Sequence, residues 1–561
     1  MYNWINKASS AYLNDGKSGY LLPGETPEIR FELIANTIQE VLPKNPTFKE
    51  EFLKYLDIGM YALSTPFITS VGRKSALPFS CSNQHIGDSM GEIAFAKGES
   101  AIMTKVGKGC SGYMDLRGAG AAITNSGISS PGSLYFAEGF NQIIKEVNQG
   151  VRRGYMALYW DIDHDDILNV LDIQRDNNPL DKINYGVCIG QDFLDKAANG
   201  DEKAREVLLK VHESRFLTGL PYIFFKDNVN NAKPDVYKDN DFTIKSSNLC
   251  TEILEVSDDK YSFVCDIAAM NAIFIDHPEF GRAVEVLAQA LDGLHTIYQR
   301  TLLSWKHSDK KEDNYKWFFL QKAYKSSHDF RDIGVGCTGY HTLLQNNNVA
   351  FESMDAKYIN AKLFKKIQEH TLKSSQELAL LYGEPKMLEG YGRRNCLMNA
   401  VAPNTSSAFI LGQVSQGIEP IFSNYYIKDI AGGKHVIKNP NLEKLLEELG
   451  INTRSVWNSI AQNDGSVSHL AELNEHQKNV FKTFQEIAPM EILIQAAQRQ
   501  QFIDQSQSLN LMINQKVGYK EVNALLYKAA ELGIKTLYYQ HGTNAAQQLR
   551  KSLLECESCA G

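Results

Sequence analysis

Ser246-Ser247-Asn248-Leu249-Cys250-Thr251-Glu252-Ile253 is the stretch on which the reading of this chain turns. It sets an amide, a thiol and a carboxylate at alternate positions. In an extended segment the period of two turns Asn248, Cys250 and Glu252 to one side. By composition that is a small reaction centre: a sulfur that can take or give a hydrogen atom, a carboxylate that can act as a base, and an amide that can hold a hydroxyl. The same residues also read as a strand whose buried cysteine serves as a small hydrophobe. The choice rests on the rest of the chain.

Around it lie 561 residues, 43% hydrophobic and 22% charged, enough for a large globular core. Length alone suggests about three to four domains, although an α/β barrel can absorb several hundred residues in one unit. A net charge of -8 is modest for this size and gives no electrostatic case for nucleic acid or an anionic membrane as partner. No run of ~18 apolar residues occurs, and the opening MYNWINKASSAYLNDGKSGY lacks the layout of a signal peptide, so a cytoplasmic location is expected. Nine cysteines stand at 81, 110, 188, 250, 265, 337, 396, 556 and 559. Their odd number and scatter argue against a structural disulfide framework and leave redox, metal or core roles.

The first 75 residues read as mainly helical. Thr26-Pro27 is a helix start with Phe31, Ile34, Ile38 and Val41 at helical spacing, and Pro43 closes it. From about Thr65 short apolar segments alternate with turns and helices. Ser133 is expected to cap a helix that ends near Gly150, and Tyr155 to Ile162 reads as a strand. Val522, Leu525, Leu526, Ala529 and Leu532 form a helical stripe stopped by Gly533, and Ile534 to Tyr539 reads as a strand. Helices alternating with strands over roughly 470 residues give an α/β barrel or a doubly wound sheet.

Three further features bear chemistry. Cys556 and Cys559 form a C-x-x-C pair beside the C-terminus, which suits thiol–disulfide exchange or half of a zinc site, or is incidental. Thr405, Ser406 and Ser407 precede an apolar run, so they read either as phosphate contacts or as a simple helix cap. The glycine-spotted stretch from Arg117 to Gly132 is a weaker anion candidate. Paired tyrosines such as Tyr538-Tyr539 ordinarily belong to cores or interfaces.

Taken in order, TPFITSVGRKSALPFSC, SSNLCTEI, SFVCDIAAMNA, PNTSSAFILG with GIEP, TLYY and the terminal cysteine pair resemble the large, catalytic subunit of class I ribonucleotide reductases. The resemblance runs from about Thr65 to the C-terminus. It implies a ten-stranded α/β barrel of two half-barrels around a central catalytic finger loop. A helical region (1–64) would precede the barrel (65–545), and a flexible redox tail (546–561) would follow.

The resemblance also implies roles. Cys250 corresponds to the thiyl-radical cysteine that removes the 3′-hydrogen of the ribose, Glu252 to the base for the 3′-hydroxyl, and Asn248 to its hydrogen-bonding companion. Cys81 and Cys265 correspond to the reducing pair that ends as a disulfide, and Cys556 and Cys559 to the dithiol that resets it. Tyr538 and Tyr539 correspond to a relay for an oxidising equivalent. For both rings to lie on one path the strand must end or bend there, since neighbouring strand residues face opposite sides. Thr65, Ser80, Thr405, Ser406 and Ser407 align with substrate-phosphate contacts, with Asn248 also at the substrate. Asp88 and Arg117 match positions that bind a deoxynucleotide effector, and the Arg175 to Lys182 loop matches the segment that reports effector identity to the substrate site. Cys110, Cys188, Cys337 and Cys396 are left to core packing.

For partners, the resemblance implies a radical-generating small subunit whose metallocofactor supplies the radical, no cofactor or metal in this chain, a thioredoxin- or glutaredoxin-like reductant, ATP or deoxynucleotide effectors, and a homodimer. Only about 65 helical residues precede the first family motif, without the basic, glycine-bearing start of an ATP-binding regulatory domain. Control of overall activity by ATP and dATP within the chain is therefore not expected. The rival readings are a cobalamin-dependent reductase of the same superfamily and an inactive nucleotide-binding barrel.

Overall fold

The computed structural model describes residues 2–14, 20–73, 77–124, 127–147, 154–173, 180–430, 433–514 and 517–542. Its centre is built from five parallel strands in sequence order: Cys81–Ile86, Gly109–Met114, Met156–Asp161, Ile183–Ile189 and Tyr222–Phe225. Met156–Trp160, Ile183–Ile189 and Tyr222–Phe225 are buried at every position, as expected where helices cover one face of a parallel sheet and a filled interior covers the other. Helices Met90–Lys105, Ser133–Glu146, Ile167–Val170 and Glu202–Thr218 make the crossovers.

A second set of five closes the ring. Phe263–Cys265 runs on into Ile267–Asn271, which pairs in parallel with Gly334–Thr338. Extended residues 397–401 follow, tied by Ile333 N–H to the Leu397 carbonyl (3.0 Å) and Val335 N–H to the Met398 carbonyl (2.9 Å). At Gly336 an added Cβ would lie 2.3 Å from the Ala400 carbonyl oxygen, so glycine permits this approach. Val401 bridges Gln507 in parallel, and Leu511–Ile513 pairs with Gln540–Gly542. The two halves meet at antiparallel seams: Cys81–Asn83 against Phe263–Cys265, and Thr536–Leu537 against Ile223–Phe224. Among the described residues, ten segments thus form a closed barrel of two opposed halves, as the resemblance implied.

The N-terminal helices include Pro27–Gln39, with Thr26 as its cap, and Phe48–Asp57. They share one continuous hydrophobic core with the barrel, from Phe31 and Ile34 through Trp160 to Leu537. Tyr61–Leu63 pairs antiparallel with Ala268–Met270. Outside, the long helices Phe280–Lys306 and Met354–Tyr382 pack on each other. A satellite around Trp457, Leu442 and Ile460 carries the hairpin Tyr425–Ile430/Gly433–Lys438. None of the described helices is long and apolar enough to cross a membrane.

Three local expectations are corrected. Ser133 starts its helix but does not cap it: Gly132 occupies the cap at φ 92, and the Ser133 N–H and hydroxyl both donate to Asp166 Oδ2 at 2.8 Å. That helix ends at Glu146. Ile534 to Tyr539 is not one strand, since pairing covers Thr536–Leu537, stops at the two tyrosines and resumes at Gln540. The opening octapeptide is a loop with a turn at Leu249-Cys250, as the resemblance implied, and Thr251 adopts φ 69, which extended pairing forbids.

Candidate active site

The loop 246–253 projects into the barrel and is held from several walls. From one half-barrel the Tyr159 hydroxyl donates to the Asn248 carbonyl (2.7 Å), and Asn83 Nδ2 donates to Ser246 Oγ (3.1 Å) and the Ser247 carbonyl (2.9 Å). From the other half, Ser506 N–H donates to the Glu252 carbonyl (2.9 Å), Thr536 Oγ1 to the Thr251 carbonyl (2.9 Å) and Ser508 Oγ to the Cys250 carbonyl (2.5 Å). Within the loop, Ser247 Oγ donates to the Ile253 carbonyl (2.7 Å) and Ile253 N–H to Asn248 Oδ1 (3.1 Å). Asn248, Thr251 and Glu252 are buried, while Cys250 keeps partial exposure. A β-branched residue in the left-handed region costs of order 1–3 kcal/mol and persists only where the surroundings impose it. Here six anchors do so.

Cys81 and Cys265 stand directly opposite each other on the antiparallel seam. Such pairs bring Cβ atoms to ~4.5–5.5 Å, close to disulfide range. Both are free, buried thiols. Asn248 Nδ2 lies 3.6 Å from Cys81 Sγ, so the loop touches the pair. Burial, and then the neighbouring Cys81, push the Cys265 thiol well above its ordinary range, so it stays protonated. Burial likewise raises Glu252 to about 7, against the opposing pull of its own backbone N–H, Asn248 and Ser508. The result is a carboxyl able to exchange a proton near neutrality, beside the protonated Cys265 thiol, in a site shielded from water.

Tyr538 and Tyr539 pack with ring centroids 4.4 Å apart and their planes tilted by 58°, made possible by the break in the strand. Tyr222 completes a triangle at 4.8 Å from Tyr538 and 5.1 Å from Tyr539. Asn184 Nδ2 donates to both the Tyr222 and Tyr539 hydroxyls, at 3.0 and 3.1 Å. Tyr539 N–H donates to Asn510 Oδ1 (3.0 Å), and Asn510 in turn donates to Glu419 of the GIEP motif.

The hydroxyls of the Thr405–Ser407 turn converge with those near Thr65. Ser407 Oγ reaches the Leu63 carbonyl (3.4 Å) and Ser80 Oγ reaches Ser64 Oγ (3.4 Å). Thr405 Oγ1 donates to Gln416 (3.3 Å). Asn404 precedes the turn at φ 58, with its side-chain amide tied to the Cys337 and Ala402 carbonyls. The N-terminal region closes over this group: Tyr12 Oη meets Ser406 Oγ at 2.9 Å and Tyr20 Oη meets Thr65 Oγ1 at 2.6 Å.

Asp88 and Arg117 are also brought together, as an ion pair at 2.6 Å, with Arg117 N–H on the other carboxylate oxygen at 3.1 Å. Of the 175–182 loop only Leu180, Asp181 and Lys182 are described. Cys556 and Cys559 lie outside the described residues. Cys110, Cys188, Cys337 and Cys396 are buried in the core. The sequence reading missed Tyr159, Ser508, Tyr222, Asn184, Tyr12 and Tyr20. Each acts through a contact spanning from 38 to 394 residues, and no local motif marks them.

The barrel-domain family of ribonucleotide reductases matches residues 79–203, 196–387 and 384–540. The chain therefore belongs to the ribonucleotide reductase large-subunit family. It is 30% identical over 550 residues to the putative ribonucleoside-diphosphate reductase large subunit of Frog virus 3 (isolate Goorha), covering 92% of this chain and 93% of that one. The large subunit of Invertebrate iridescent virus 3 is 28% identical over 601 residues, covering 93% and 92%. Among solved structures, the Actinobacillus ureae class Id ribonucleotide reductase alpha subunit superposes with a TM-score of 0.89 at 41% identity, covering 97% of this chain and 98% of that one.

Proposed function

We propose that this chain reduces ribonucleoside diphosphates to 2′-deoxyribonucleotides through a thiyl radical on Cys250. The observation that carries the reading is the placement of the buried Glu252 carboxyl and the Cys81–Cys265 thiol pair around one strained loop, with Asn248 touching Cys81. The Cys250 radical takes the 3′-hydrogen of the ribose. Glu252 accepts the 3′-hydroxyl proton, held in line by Asn248, and the C2′–O bond of the resulting radical weakens. A thiol of the Cys81–Cys265 pair protonates the departing 2′-hydroxyl, which leaves as water. The pair supplies two electrons and closes as a disulfide, and Cys250 returns its hydrogen to C3′. The diphosphate sits among Thr65, Ser80, Thr405, Ser406 and Ser407. The relatives named as diphosphate reductases support this choice of substrate.

The oxidising equivalent enters from a radical-generating small subunit through Tyr539 and Tyr538. The seating of their rings beside Tyr222 supports that route. Cys556 and Cys559 then reset the disulfide and are themselves reduced by a thioredoxin- or glutaredoxin-like protein. Asp88 and Arg117 hold a deoxynucleotide effector across a homodimer. Turnover of ribonucleoside diphosphates by the chain with a radical-bearing small subunit, abolished in Cys250→Ser, tests the reading. Activity with adenosylcobalamin and no second subunit would instead place it in the cobalamin-dependent class. Unimpaired turnover in Cys250→Ser would refute the radical role.

A further inference from the structure

Ser508, 2% exposed on the segment between the two seams, presents one hydroxyl to two acceptors. Its Oγ lies 2.5 Å from the Cys250 carbonyl oxygen and 3.1 Å from Glu252 Oε2. A serine has one hydrogen and cannot donate fully to both. Two arrangements satisfy the chemistry. With Glu252 protonated, its O–H donates to Ser508 Oγ and Ser508 donates to the Cys250 carbonyl, so every group is paired. With Glu252 ionised, the hydrogen of Ser508 goes to the carboxylate, because charge-assisted bonds are the stronger. The Cys250 carbonyl then gives up its bond to Ser508. Thr251 sits between them at φ 69, a conformation that needs this carbonyl and its neighbours held in place.

We propose that Ser508 is a positioning residue that ties the seating of the Cys250 peptide to the proton on Glu252. The inference rests on the reading of Glu252 as the base. As that base acts, the 3′ O–H bond of the substrate breaks, an O–H bond forms at Oε2, and the hydrogen of Ser508 swings to the Cys250 carbonyl. Ser508 neither gains nor loses a proton. The loop is thus held most firmly while the substrate radical exists, and Cys250 must still return its hydrogen then.

The other ionisable groups facing Glu252 are Tyr159 on Met156–Asp161, Cys265 and Cys81 on the seam, and Cys250 on its own loop. Burial raises the Tyr159 phenol and the Cys265 thiol, so neither titrates near pH 7. An acid limb near neutrality that is present in wild type and absent in Glu252→Gln therefore reports Glu252.

The test is the pH–rate profile of the holoenzyme with wild type, Ser508→Ala, Ser508→Thr and Glu252→Gln, using a ribonucleoside diphosphate and a small dithiol. Loss of one hydrogen bond to a charged group predicts kcat lower by about tenfold in Ser508→Ala, with KM within about twofold. The acid limb should move upward by several tenths of a pH unit, since a bond favouring the carboxylate is gone. Ser508→Thr, which keeps the hydroxyl, should restore both. An unmoved limb in Ser508→Ala refutes the coupling whatever its kcat, and so does a Ser508→Thr enzyme that behaves like Ser508→Ala. Retained turnover in Glu252→Gln would instead overturn the assignment of the base, an outcome independent of the two serine variants.

Discussion

The catalytic rate should rise with pH across neutrality, and Glu252 fixes both the position and the height of that rise. An ordinary glutamate titrates near 4.5, so its ionised fraction hardly changes between pH 6 and 8. Complete burial among Ile253, Ser508 and the seam thiols lifts Glu252 to about 7. A base with that value is about one-eleventh ionised at pH 6, half at pH 7 and ten-elevenths at pH 8, so kcat/KM should climb roughly tenfold over these two units. Glu252→Gln removes the base and should lower kcat by about 10²–10⁴-fold with no acid limb left. The assay is the initial rate of deoxynucleotide formation with saturating small subunit, its radical content measured at each pH. A small dithiol should be in excess, at two concentrations to show that disulfide reset is not limiting. A profile flat between pH 6 and 8, one that falls with pH, or a limb that survives in Glu252→Gln would refute the argument.

The two N-terminal tyrosines should act at the substrate phosphates. Tyr12→Phe and Tyr20→Phe each remove a hydroxyl paired with Ser406 or Thr65. Each should raise KM about fivefold with kcat little changed, as expected for ~1 kcal/mol of uniform binding; an unchanged KM would show the contacts to be packing only. Tyr538→Phe should block radical entry and turnover while substrate affinity by equilibrium dialysis stays near wild type, and a large loss of affinity would mark the ring as structural. Glu99, buried with Oε1 unpartnered and Oε2 on the Ser262 hydroxyl at 3.0 Å, is raised by burial to about 7. Its folded value lies above the unfolded one, so its contribution is full below pH 4.5 and is lost as pH rises through 7, at about 1.4 kcal/mol per unit. Glu99→Gln should therefore gain on the order of 3 kcal/mol relative to wild type between pH 4.5 and 8 in denaturant unfolding; an equal difference at both pH values would refute the linkage.

How legible the fold was depended on how local its causes are. Buried parallel strands announce themselves as apolar runs, so Met156–Asp161 was found to within a residue. The Thr26-Pro27 start worked because a cap bond and a fixed φ lie within three residues. Ser133 failed because its helix takes its acceptor from Asp166, 33 residues away. The loop at Ser246 to Ile253 was implied by the resemblance and not by its alternation, because its conformation is imposed by Tyr159, Ser506, Ser508 and Thr536, none of them near in sequence. The identities of Cys250, Glu252, Cys81 and Cys265 came from ordered motifs. The meeting of Cys81 and Cys265 was likewise implied by the resemblance and by no local spacing, since the two face each other only once both half-barrels are closed.

That closure also explains why the thiol pair and the tyrosine cluster sit where they do. Inside each half the strands are parallel, and successive strands are joined by helices. Where the halves meet the pairing is antiparallel, which sets residues directly opposite at the separation a disulfide needs. One seam therefore carries Cys81 against Cys265. The other pairs Leu537 with Ile223, and one step farther along the same register Tyr538 meets Tyr222 at 4.8 Å. The loop bearing Cys250 is bonded from both halves, through Asn83 and Tyr159 on one side and Ser506, Ser508 and Thr536 on the other. It can reach its working shape only when both seams are formed, so a substitution that loosens either one should disturb the loop before it disturbs the bulk of the core.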